Sequence, residues 1–183
     1  MTLTSCKTEI GKSVDLKSDH KLVAEQKQKT ELLNFTIMEI DSLFDNGILS
    51  KKFYPNMSAC GGRLYGFYYN NDLILIDSKY GAELGFSSQK IYWNGNKILK
   101  IKYREYFAEW EKYQKNYPPK KVEYDPSKMT YSDTIYEITF GNKYGFKKMA
   151  KEKVISIKTD SILIEKLTDC AKQMKTELES TNE

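Results

Sequence analysis

The feature that most constrains this chain is Asn94-Gly95-Asn96, set between an apolar run at Gln89 to Trp93 and a second run from Lys97 to Arg104. Asn-Gly readily adopts the positive φ angles of a tight two-residue turn, whose twist matches that of the strands it joins. In the returning run Leu99, Ile101 and Tyr103 alternate with Lys100, Lys102 and Arg104. That period of two belongs to a strand with one buried and one wet face. A second hairpin precedes it. Leu64, Gly66 and Tyr68 alternate with Tyr65, Phe67 and Tyr69, the chain turns at Asn70-Asn71-Asp72, and it returns through Leu73 to Ile76. Asn70 and Asn94 lie 24 positions apart, the difference of their numbers, which suggests duplicated hairpins laid edge to edge in an antiparallel sheet.

Helical periodicity flanks this β material. Leu33, Ile37, Ile40 and Phe44 fall on one face of a helix from about Thr30 to Asp45, with Thr30 as its cap and Asn46-Gly47 as its stop. Pro55 to Gly62 reads as a loop, and Phe107, Trp110 and Tyr113 suggest a short helix within 105–121 that closes at Pro118-Pro119. Further strand material follows at Tyr136, Ile138 and Phe140, then a Gly141-Asn142 turn, then Tyr144, Phe146 and Val154 to Ile157. Asp160 can cap a last helix whose stripe is Leu163, Leu167, Cys170, Met174 and Leu178. The expected fold is α+β, an antiparallel sheet of about five to seven strands with an N-terminal and a C-terminal helix packed on it. One domain spans 29–180, preceded over 1–28 by a polar tether with scarcely any apolar period. With 40% hydrophobic and 13% aromatic residues among 183, the chain has the bulky apolar material that disordered chains lack.

Charge and cysteine content narrow the function classes. The net charge is +4, yet only Arg63 and Arg104 are arginines among 29 basic residues, so the bidentate contacts typical of nucleic-acid surfaces are scarce and no nucleic-acid partner is expected. No run reaches the roughly 18 apolar residues of a spanning helix. Leu3-Thr4-Ser5-Cys6 matches the end of a bacterial lipobox. Lipidation of Cys6 would require an apolar leader ahead of it, and an ordinary cytosolic start is the competing reading. Cys60 and Cys170 then form either a disulfide, worth about 2–4 kcal/mol, or two ordinary thiols.

Catalytic constellations are not apparent. The one histidine, His20, lies in the tether, so Cys60 has no evident base, and Asp125, Asp133 and Glu137 are as expected of a polar strand face. Metal-ligand spacing and a phosphate-cradling loop are missing, and no cofactor is expected. The aromatic row Tyr65, Phe67, Tyr69, Tyr92 and Trp93 is the candidate binding surface, with core packing as the plainer role.

The run Gly62-Arg63-Leu64-Tyr65-Gly66-Phe67-Tyr68-Tyr69-Asn70, followed by Tyr92-Trp93-Asn94-Gly95-Asn96-Lys97-Ile98, resembles uncharacterised Bacteroidetes lipoproteins with Tyr-Tyr-x-Asn-Gly hairpins. The same hairpins are similar to variant MORN repeats of antitoxin-like proteins. The resemblance covers residues 61–104 and implies no catalytic residues. The expectation is a non-catalytic, lipid-anchored protein on the periplasmic side of the cell envelope that binds a protein or small ligand, touching the membrane only through Cys6. An immunity or antitoxin-like inhibitor, an enzyme using Cys60 and a cytoplasmic location are the alternatives.

Overall fold

The structure is a computed structural model that describes residues 34–54, 60–117, 125–141 and 145–180. Cys6, His20, Thr30, the 1–28 tether, Pro118-Pro119, Asn142 and Tyr144 lie outside those residues. Helix α1 (Ile37–Asp45) is followed by strands β1 (Ser50–Tyr54), β2 (Gly62–Tyr69), β3 (Asp72–Ala82), β4 (Gly85–Asn94) and β5 (Lys97–Ala108). Helix α2 (Trp110–Asn116), a 3-10 turn (Pro126–Lys128), β6 (Tyr131–Thr139), β7 (Gly145–Ala150), β8 (Lys153–Ser156) and helix α3 (Ser161–Ser180) complete the order.

The fold is α+β, and its strands form one antiparallel sheet in strict chain order from β1 to β8. Eight strands exceed the expected five to seven. The additional one is β1, whose Ser-Lys-Lys-Phe-Tyr sequence is exposed at its first four positions and so shows no apolar alternation. It pairs with β2 from Ser50 opposite Tyr68 to Tyr54 opposite Leu64.

A single row of side chains runs across the middle of the sheet. Ile76 stands opposite Ile91, Ile91 opposite Ile101, Ile101 opposite Ile138 and Ile138 opposite Phe146. All four isoleucines are fully buried. Directly opposed β-branched side chains pack closely on a pleated surface. Above this row lies α3, which presents Leu167, Ala171, Met174 and Leu178 to it. The helix starts where the sequence indicates, because the Asp160 carboxylate accepts the Leu163 N–H at 3.0 Å. At its far end the Tyr68 hydroxyl donates to the Leu178 carbonyl at 3.4 Å.

The opposite face is closed by α1. Its Ile40 is fully buried among Phe67, Ile74, Leu75 and Tyr92, with Ile37, Leu43 and Phe44 around them. This helix begins later than its apolar period suggests. Thr36 accepts the Glu39 N–H while the Glu39 carboxylate accepts the Thr36 N–H, a reciprocal cap that fixes the first turn at Ile37.

The two hairpins are adjacent in the sheet as β2–β3 and β4–β5. Each carries one extra residue on its returning strand, Ile74 in the first and Leu99 in the second. Those bulges align Phe67 with Tyr92 and Tyr68 with Trp93, a structural period of 25 (92 − 67), one more than the asparagine spacing. Both asparagines of the first turn have positive φ, 48° and 69°, which Asn tolerates better than most residues.

Backbone crossing at Gly81 ties the chain before β2 to the end of β3. The Gly81 N–H donates to the Gly61 carbonyl at 2.9 Å, and a Cβ on Gly81 would collide with the Cys60 carbonyl oxygen. Gly81→Ala is expected to lower unfolding stability by about 1–3 kcal/mol, read from urea denaturation. Gly141→Ala, where a Cβ meets nothing within 4 Å, serves as the control and should change stability little.

Candidate functional site

Strand alternation decides where the candidate aromatic row lands. Tyr65, Phe67, Tyr69 and Tyr92 belong to the α1 face and Trp93 to the α3 face. Helix α1 covers most of the first group. Phe44 meets Phe67 edge-on at 4.9 Å between ring centroids, and Phe35 meets Tyr69 edge-on at 5.3 Å. Tyr65 remains half-buried, beside the exposed Phe53 ring, with the Lys51 ammonium 3.7 Å from its ring centre. Trp93 is almost completely buried beneath Lys175. The five residues therefore make two clusters on opposite faces, chiefly as packing.

A hydrogen-bonded triad locks α1 to the sheet. Asp41 accepts from the Lys90 ammonium and from the Tyr92 hydroxyl, each at 2.8 Å. Burial pushes the Asp41 carboxyl up, but the Lys90 and Tyr92 hydrogen bonds more than offset this and leave it below the usual aspartate value. Burial drives the Tyr92 hydroxyl up to about 12, so it stays protonated and donates.

Beyond the cluster closed by α1, the same face continues along β3 to β6 with side chains that are half-buried or exposed. Phe86 and Tyr106 stack with centroids 5.3 Å apart, and Tyr106 and Tyr131 stack at 5.0 Å and 4° between planes. The Lys79 ammonium lies 4.0 Å from the centre of the Phe86 ring. Next to this ladder, Arg104 donates two hydrogen bonds to Asp133, at 2.8 and 2.7 Å. The Arg104 hydrogen bonds hold the Asp133 carboxyl below the usual range. Sequence reasoning missed Lys79, Phe86, Tyr106 and Tyr131 as a group, because four different strands bring them together and no local spacing announces it.

The candidate carboxylates sit apart. Asp133 is committed to Arg104, Glu137 lies 3.4 Å from Lys100, and Asp125 caps the 3-10 turn through the Ser127 N–H. Their environment suits binding and structure rather than a shared proton. Cys60 and Cys170 are free thiols, Cys60 exposed beside Gly61 and Cys170 half-buried on α3, where it accepts from the Gln89 amide at 3.6 Å. Among the described residues, no three His, Cys, Asp or Glu side chains assemble as a metal site, and no helix is long and apolar enough to cross a membrane. An open groove of about 1140 Å³ runs beside the first half of α3, with Trp93, Ile98, Phe140 and Ile164 along it. No family model matches this chain, and comparison with curated proteins and with solved structures found no match either.

The Asp41 triad gives a pH dependence of definite sign. A carboxyl that titrates lower in the folded than in the unfolded state stabilises the fold above the ordinary aspartate pKa. That contribution disappears as the pH falls through the depressed folded value. Asp41→Asn should therefore cost about 1 kcal/mol at neutral pH and flatten the acid limb of the stability profile, measured by urea denaturation at a series of pH values.

Proposed function

We propose that this domain is a non-catalytic binding module of the bacterial cell envelope, lipid-anchored through Cys6 on the periplasmic side, that docks a protein partner on the uncovered half of its α1 face. The carrying observation is the ladder of Phe86, Tyr106 and Tyr131, flanked by Lys79 and by the Arg104–Asp133 pair, on a face that α1 covers only in part. Aromatic and arginine side chains supply most of the energy at protein interfaces. Stacking fixes the rings in advance, which reduces the entropy lost on docking.

Charge narrows the partner. On this half Arg63, Lys79, Lys102, Arg104 and Lys147 outnumber Asp77, Asp133 and Glu137 in the strand register. An acidic protein surface fits it best, since complementary charge guides encounter and fixes register. The envelope assignment rests separately on Leu3-Thr4-Ser5-Cys6 and on the resemblance of residues 61–104 to Bacteroidetes lipoproteins.

Two measurements in host cells test this reading. A clickable palmitate analogue should label the full-length gene product, and Cys6→Ser should abolish the label. A photo-crosslinker at Tyr131 should capture one acidic envelope protein, with capture reduced about tenfold by Arg104→Glu, the loss expected at a hot spot. The same crosslinker at Thr176, on the exposed side of α3, should capture none. An unlabelled Cys6 contradicts the anchor, and equal capture from the two positions contradicts the docking face.

A further inference from the structure

On the open half of the α1 face two cations stand directly opposite each other. Arg63 of β2 is the register partner of Lys79 of β3, so both side chains leave the sheet on the same face. Like charges in that relation repel and destabilise a sheet. Little nearby offsets them. Asp77 reaches the half-exposed Arg63 through one contact of 3.4 Å. Among the described residues Lys79 has no carboxylate partner, and its ammonium rests on the Phe86 ring instead.

The same two cations line an open pocket of about 420 Å³, with Phe86 as a further wall. Most of the remaining lining is Gly61, Gly62, Gly81 and Gly85, and no acidic residue contributes to it. A Cβ at Gly81 would meet the Cys60 carbonyl and one at Gly85 the Tyr106 carbonyl, so neither position can carry a side chain that would fill the pocket.

We propose that this pocket takes a carboxylate of the acidic partner, an Asp or Glu side chain held between Arg63 and Lys79 with its methylene carbons on the Phe86 ring. The inference rests on the docking reading above and names the point at which the partner's charge is read. A carboxylate between two cations accepts charge-assisted hydrogen bonds from both and cancels their repulsion. Repulsion also separates this role from a structural one. A cation that serves the fold is missed when it is replaced, whereas one that serves binding destabilises the empty site.

NMR of the isotope-labelled full chain, titrated with a blocked pentaglutamate peptide at fixed ionic strength, tests this site. The Gly61, Gly62, Gly81 and Gly85 amides should shift saturably. Lys79→Gln should weaken peptide binding about tenfold. Lys147→Gln removes the same charge from a distant strand of this face and should weaken it by less than about twofold, because exposed charges beyond a Debye length are screened. Lys79→Glu should abolish the shifts without lowering the urea midpoint, since it sets opposite charges across the strands. Glycine amides that do not move, or equal weakening by Lys79→Gln and Lys147→Gln, overturn the proposal. A lowered midpoint for Lys79→Glu does so too, because Lys79 would then hold the fold. Saturation by inorganic phosphate at a lower concentration than the peptide would assign the pocket to phosphate and overturn the carboxylate. Unmoved glycines with capture at Tyr131 intact would remove this pocket alone and leave the docking face standing.

Discussion

The structure depends on one contact, the packing of α3 against the isoleucine row of Ile76, Ile91, Ile101 and Ile138. An antiparallel sheet in simple chain order is easily formed from successive hairpins, but nothing in the backbone pairing alone stops it from sliding or opening. A one-residue slip between any two of these strands would move an isoleucine to the other face. Burial of the row beneath Leu167, Ala171, Met174 and Leu178 therefore fixes the register of four strands together. Each Å² of apolar surface that this row removes from water contributes roughly 25 cal/mol.

With α3 over the isoleucine row, the proposed docking surface lies on the other face. Helix α1 has nine residues, Ile37–Asp45, and it lies over the turn half of the sheet, where Phe67, Ile74, Leu75 and Tyr92 meet it. Strands β3 to β5 are 10 to 12 residues long and extend past its cover. This mismatch in length leaves the Phe86, Tyr106 and Tyr131 ladder half-open and places cations beside it. Rings that pack on one another and on cations are adequately solvated and stable without a cover. They also retain the flat apolar area that a partner can bury.

The legible parts of the sequence were those in which a local rule decides the outcome. Asn70-Asn71 marked its turn, the second turn falls one residue later than Asn94-Gly95, at Gly95-Asn96, and Asp160 marked the start of α3 because a carboxylate there satisfies otherwise unpaired N–H groups. The reciprocal cap of Thr36 and Glu39 was equally local, but the longer apolar period from Leu33 masked it. The strand β1 was illegible because its first four side chains stay in water and its place is set chiefly by pairing with β2. Phe107 reads as helical by spacing but sits in β5, where pairing with Ser132 across the sheet overrides it. The divided aromatic row follows from strand alternation, which sets the consecutive residues Tyr92 and Trp93 beneath different helices. The bulges were illegible, because an extra residue at Ile74 and at Leu99 returns Leu73 and Ile98 to the α3 face in a way that composition does not encode.

Helix α3 covers the middle of one face while the other stands open beyond α1, and tyrosine accessibility reads this directly. Limited nitration of the folded chain, located by mass spectrometry, should modify Tyr131, which is 41% exposed, and the half-buried Tyr106 ahead of the tyrosines beneath the helices. Tyr68 beneath α3 and Tyr92 beneath α1, at 3% and 5% exposure, should react only when the chain unfolds. Nitration of Tyr68 or Tyr92 as fast as Tyr131 in the folded protein would contradict the account.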